Sequence, residues 1–216
     1  MGQENAAFSA AEYARRIAKT RAAMQKAGIE VLFVTDPSNQ AWLTGYDGWS
    51  FYVHQGVILT LDGDPHWWGR YMDSLGALRT CWIGTPTIHG YADHFVQSTV
   101  RHPMQDLARI IREMGHAKAR IGVEMENYYY SAKAHAVFTA ELPDAKFVDA
   151  TALVNWQRLV KSDDEIGFIR KAAKISEKVV RTAIDKARPG LRKNDLVAEI
   201  YHAAITDVGD DWGDYP

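Results

Sequence analysis

The sequence is short of several features that would otherwise define a function. Cys81 is its single cysteine, so it can form neither an internal disulfide nor a thiolate zinc cluster. It has no basic excess. The 25 lysines and arginines are scattered and face 27 acidic residues, and a formal net charge of -2 removes the electrostatic footing for nucleic-acid binding. No run approaches the roughly 18 apolar residues of a membrane span, and the opening Met-Gly-Gln-Glu-Asn lacks the basic and apolar regions of an export signal. Neither a Walker A motif nor Gly-x-Gly-x-x-Gly occurs, and Gly45, Gly48 and Gly56 are too widely spaced to cradle a phosphate. A Gly-x-Ser-x-Gly nucleophile elbow is also missing. The expectation is a protein of the reducing cytoplasm, with no nucleic acid, membrane, nucleotide cofactor or metal to bind.

What remains is ordinary material for a folded chain. With 216 residues, 47% hydrophobic and 24% charged, it can fill a core; it exceeds one average domain and falls short of two. Ser9 and Glu12 form a capping box, and Tyr13, Ile17 and Met24 follow at helical spacing until Gly28. The near-continuous apolar run 29–35 suits a strand buried on both faces. Further along, the pattern predicts a short helix over 39–43, a strand over 50–61, a turn at 62–65, a strand over 66–71 and a helix over 73–82. A strand over 87–91, a helix over 103–114, a strand over 119–125, a Ser131-capped helix to Leu142 and a strand over 146–148 complete the series. Strands alternating with helices predict an α/β domain with a mixed sheet flanked by helices. A second capping box, Ser162 with Glu165, opens a long amphipathic helix that stops before Pro189 and Gly190, and Asn194 or Asp195 caps another through Ile205.

The stretch 42–56 concentrates unusual chemistry. Gly45 and Gly48 permit sharp turns that would present Trp49, Phe51, Tyr52 and His54 together. Such a cluster suits a small cationic or zwitterionic ligand, because ring faces attract cations while phenol, indole and imidazole supply hydrogen bonds. The same residue types also suit a packed core or an interface. Arg70 and Arg79 could each grip a carboxylate with two parallel hydrogen bonds. Glu124 and Glu126 could supply an acid/base pair, or simply end a strand beside the ledge Tyr128, Tyr129 and Tyr130. His89, Asp93, His94 and His102 lie close in sequence without a helical ligand register, which makes surface histidines a better account than a metal site. The acidic run 207–214 fails the calcium-loop spacing and reads as a solvated loop.

Arg158, Lys161, Ser162, Glu165, Ile166, Ile169 and Arg170 match the Arg-x-x-Lys-Ser-x-x-Glu-Ile-x-x-Ile-Arg seam of the creatinase and aminopeptidase P superfamily, M24, which the chain therefore resembles. In that superfamily the seam joins an N-terminal α/β domain to a pita-bread catalytic domain. The resemblance implies a creatinase-like domain over 1–160 and the first helices of a truncated pita-bread domain over 161–216. Thr35 to Asn39 with the Ala41 to Gln55 run, Gly69 and Arg70 with the Gly76 to Trp82 run, and Asn127 to Tyr129 with Ser131 to Ala134 are similar to the ectoine hydrolase group. That likeness implies a parent hydrolase opening the cyclic amidine of a small zwitterion, ectoine, to N-acetyl-diaminobutyrate. The alternatives are a metal-dependent Xaa-Pro peptidase and a non-catalytic binding or dimerisation module. In creatinase relatives the N-terminal domain of one protomer of a homodimer reaches into its partner's pocket, and Phe51 stands where they use a substrate-contacting Phe. Val53 stands where creatinase uses an Arg, which leaves a substrate carboxylate to His54 or Arg70. The family's catalytic residues and metal ligands lie on the pita-bread sheet, so none is assigned within these 216 residues.

Overall fold

The computed structural model describes residues 6–206. The chain divides into two compact units, one up to Leu159 and one from Val160 onward. In the first unit Ser9 caps α1 (Ala10–Ala27), its hydroxyl accepting the Glu12 N–H, and Gly28 closes the helix in the left-handed conformation that only glycine adopts without strain. Six strands follow: β1 (Val31–Val34), β2 (Gly56–Thr60), β3 (His66–Arg70), β4 (Ile88–Tyr91), β5 (Arg120–Val123) and β6 (Lys146–Asp149). They form one sheet in the order β4-β3-β2-β1-β5-β6, with only β2 antiparallel to its neighbours.

Alternation along each strand decides which helices cover which face. Val31, Phe33, Ile58, Trp68, Ile121 and Val123 point to one side, where α4 (Pro103–Glu113) brings Leu107, Ala108 and Ile111 and α5 (Ala132–Glu141) brings Phe138. Leu32, Val34, Val57, Leu59 and Trp67 point to the other, against Ile17 and Met24 of α1, Leu43 of α2 (Pro37–Thr44) and Ala77 of α3 (Tyr71–Thr80). Because both faces are covered, β1 can be apolar at every position, and all four of its residues are buried. Trp67 and Trp68 go to opposite faces, both fully buried, and truncating either to alanine would cost about 3–5 kcal/mol.

Several element boundaries differ from the sequence expectation. The strand expected from residue 50 begins only at Gly56, where the backbone runs so close to β1 that a Cβ would stand 2.5 Å from the Phe33 ring and 2.6 Å from the Val34 carbonyl oxygen. Upstream of that close approach the chain leaves the ladder, and the His54 carbonyl takes its hydrogen bond from the Tyr91 hydroxyl instead, at 2.8 Å. The third helix starts at Tyr71, directly after β3. A further short helix, α6 (Leu153–Arg158), follows β6, entered through Ala152 at φ 60° with no side-chain cap, so its start left no mark in the sequence. Val154 anchors it in the second core.

The second unit holds α7 (Asp163–Lys186) and α8 (Lys193–Ile205). The Ser162 and Glu165 capping box forms, with the Ser162 N–H donating to the Glu165 carboxylate at 2.8 Å. The two helices run antiparallel, tied by Lys178 to Thr206 at 2.9 Å and by Lys186 to Glu199 at 3.4 Å. Helix α8 begins one to two residues before the expected caps Asn194 and Asp195; Asp195 pairs with Arg192 instead. The acidic run 207–214 lies outside the described residues. Among the described residues no helix is long and apolar enough to cross a membrane.

Candidate ligand-contacting edge

The strand directions place the carboxyl ends of β1, β3, β4, β5 and β6 and the amino end of β2 along one sheet edge. In doubly wound sheets this is the edge at which ligands bind, at the point where the connections diverge. Here that point lies between β1 and β5, and Glu124 occupies it. Its carboxylate is 3% exposed and accepts the Thr35 N–H at 2.6 Å, the Asp36 N–H at 2.8 Å and the Asn39 side-chain amide at 2.6 Å. Asn39 also donates to Asn155 at 2.8 Å and accepts from Arg158 at 2.6 Å, which ties α2 and α6 to the same centre. Burial pushes the Glu124 carboxyl up, against the opposing pull of the bonds from Asp36, Thr35 and Asn39. Glu126 lies outside this network: its backbone N–H donates to the Thr151 hydroxyl at 3.1 Å, and its carboxylate shares no bond with Glu124, so the two do not form the acid/base pair.

Next to this centre the 46–55 loop lays its rings on the surface. Trp49, Phe51 and Tyr52 are 61–63% exposed and Tyr128, from the loop after β5, is 72% exposed. Trp49 meets Phe51 edge to face at 6.2 Å between centroids, and Phe51 meets Tyr128 at 5.7 Å. The loop is held from behind: the Asp47 N–H donates to Thr80, the Tyr46 hydroxyl to Gln55, and the Tyr91 hydroxyl to the His54 carbonyl. The structure thus brings Trp49, Phe51 and the unforeseen Tyr128 together in water, with Tyr52 beside Arg70. Tyr128 had no spacing relation to the other rings; only the parallel pairing of β1 with β5 makes them neighbours.

His54 and Arg70 are both engaged. The His54 imidazole bonds the Tyr129 backbone, its ring lies 5.0 Å from that of His102, and burial depresses its protonation. Arg70 grips Asp93 through two bonds of 2.8 and 3.0 Å, so a substrate carboxylate would have to compete with that carboxylate for it. The four residues considered as metal ligands disperse. His89 pairs with His66 at 2.8 Å, Asp93 holds Arg70, His94 packs on Phe95, and the His102 Nδ1 accepts the Met104 N–H as the cap of α4. Among the described residues no group of three or more His, Cys, Asp or Glu is placed to hold a metal ion. Cys81 is fully buried and its thiol is pushed up to about 12, which keeps it protonated and inert.

An α/β unit of this topology, followed by the helical seam, defines a class. Residues 16–160 match the creatinase/prolidase N-terminal domain, and the chain belongs to that family. It is 50% identical over 206 residues to the ectoine hydrolase of Halomonas elongata, covering 95% of this chain and 52% of that protein. It is also 42% identical over 211 residues to an uncharacterised hydrolase/peptidase of Sinorhizobium fredii, covering 97% of this chain and 53% of that protein. Among solved structures, the Xaa-Pro dipeptidase of Bacillus anthracis superposes with a TM-score of 0.68 at 17% identity, over 88% of this chain and 48% of that one; at such identity the likeness speaks for the fold alone. The chain spans about half the length of the curated relatives it matches.

Proposed function

We propose that this chain is the N-terminal, substrate-contacting portion of an M24-type hydrolase that opens the cyclic amidine of ectoine to N-acetyl-diaminobutyrate. The observation that carries the proposal is the exposed ring cluster of Trp49, Phe51 and Tyr128 at the carboxyl edge of the sheet. Large aromatics left in water on one edge, with their loop braced from behind, form a surface for another body to complete. Ectoine carries a delocalised amidinium, which ring faces attract. The half-identical ectoine hydrolase supports this choice of ligand over other cations.

Residues 1–160 serve as the contacting domain and 161–216 as the opening of a pita-bread domain, and the rings reach the pocket of a second protomer in a homodimer. The general acid/base or nucleophilic carboxylate that the reaction needs belongs to that pita-bread domain. The test is the product of the complete gene, assayed for ectoine opening with and without chelator, beside its Trp49→Ala and Phe51→Ala variants. Ectoine opening that falls at least tenfold in the variants is the expected result; no ectoine opening, with chelator-sensitive cleavage of Xaa-Pro dipeptides, would replace the proposal with a peptidase. The 42% identical hydrolase/peptidase of Sinorhizobium fredii is what makes that the second reading.

A further inference from the structure

We propose that a cleft at the carboxyl end of β4 takes the carboxylate of a small cyclic acid, and that Arg101 is the residue that recognises it. Tyr52, His54, Tyr91, Phe95, Arg101 and His102 are among its lining residues. Among the described residues no aspartate or glutamate lines it, and the Arg101 guanidinium is its one full positive charge. The two imidazoles are held neutral by burial, and Lys133 adds a positive field beside His102. Neutral donors and a cation around an aromatic floor suit an anionic group attached to an apolar ring.

Two observations single out Arg101. Its guanidinium is exposed and has no hydrogen-bond or ion-pair partner among the described residues, whereas the Arg70 guanidinium is already paired with Asp93. Its backbone is set by the turn before α4, in which the Ser98 hydroxyl accepts the N–H groups of Val100 and Arg101 at 3.3 and 3.1 Å. The cleft shares Tyr52 with the loop that carries the exposed Trp49 and Phe51. A zwitterion lying across Tyr52 would place its cationic end toward the rings and its carboxylate toward Arg101. Only the identification of the ligand as ectoine rests on the function proposed above; recognition of a carboxylate does not.

The experiment is a titration of the 216-residue chain, followed by amide chemical shifts and calorimetry, with two probe pairs: ectoine and its carboxamide, and pipecolate and its carboxamide. The expected result is that each acid binds roughly tenfold more tightly than its amide, the increment of one charge-assisted pair. Shifts should centre on Tyr52, His54 and His102. Arg101→Gln should bring the preference to about one, Arg101→Lys should restore part of it, and Arg70→Gln should leave it standing. Retention of the preference in Arg101→Gln, its loss in Arg70→Gln instead, or the absence of shifts at the cleft with either acid would overturn the assignment. Pipecolate binding that depends on Arg101 without any ectoine binding would sink ectoine and keep the cleft. Ectoine binding indifferent to Arg101 would do the reverse.

Discussion

Replacing Glu124 with alanine removes the acceptor on which two strand ends and a helix converge. The Thr35 N–H, the Asp36 N–H and the Asn39 amide, now 2.6–2.8 Å from the carboxylate, would each lose their partner. A buried donor left without an acceptor costs about 1–3 kcal/mol. Three of them at the low end, with some water admitted at the sheet edge, give a loss of about 3–5 kcal/mol, a large share of the 5–15 kcal/mol by which domains are stable. For a chain of this size that lowers Tm by roughly 6–20 °C. Glu124→Gln is the sharper probe. Its one remaining oxygen can serve both backbone N–H groups, but its NH2 then faces the Asn39 amide. Asn39 cannot turn over to compensate, because its oxygen is held by Arg158 and its nitrogen by Asn155. The expected cost is about 1–3 kcal/mol, between wild type and alanine. Urea unfolding followed by the fluorescence of the buried Trp67 and Trp68 reads the first unit, and hydrogen exchange at Thr35 and Asp36 reads the local loss. Equal costs for Gln and Ala, or both within about 0.5 kcal/mol of wild type, would refute the network as the organiser of this edge.

Three other outcomes follow from the same geometry. Gly56→Ala should cost at least about 1–3 kcal/mol, since its Cβ meets the Val34 carbonyl oxygen at 2.6 Å and backbone must move; a neutral urea midpoint would contradict the close approach. Phe51→Ala and Tyr128→Ala should change stability by less than about 0.5 kcal/mol while weakening ectoine binding, and a large stability loss would return these rings to the core. His102 carries a protonation pushed down to about 4 by burial and by His54 and Lys133, so the unfolded chain binds more protons between that value and the ordinary 6.5. Stability therefore holds above pH 6.5 and is lost as pH falls toward 4, with His54, His66 and His89 contributing in the same direction. His102→Asn, which keeps a good helix cap, should flatten that acid limb of the urea midpoint; an unchanged limb would remove His102 from the account.

The helices with side-chain caps were legible because their signals are local: Ser9, Ser131 and Ser162 each bond a backbone N–H three residues on, as their spacing implied. The start at Gly56 and the uncapped α6 were not, because one depends on where β2 pairs with β1 and β3 across the sheet and the other on a backbone entry at Ala152. The edge itself was half legible. Composition drew attention to Trp49, Phe51 and Tyr52, which the structure leaves exposed. Arg70 looked like a free carboxylate ligand until the parallel pairing of β3 with β4 carried the turn after β4 to its side and Asp93 took its fork. Glu124 looked like one of two exchangeable acids until β1 and β5 paired in parallel and turned it into a buried acceptor for another strand's N–H groups.

By itself, the sequence determined the alternation of strands and helices, the serine caps of α1, α5 and α7 and the family seam, since each is written in residues a few positions apart. Tertiary structure alone decided which polar groups face solvent and which are already bonded. Protonation, charge and hydrogen-bond demand depend on atoms brought within about 3 Å from distant parts of the chain, a separation that sequence spacing does not encode.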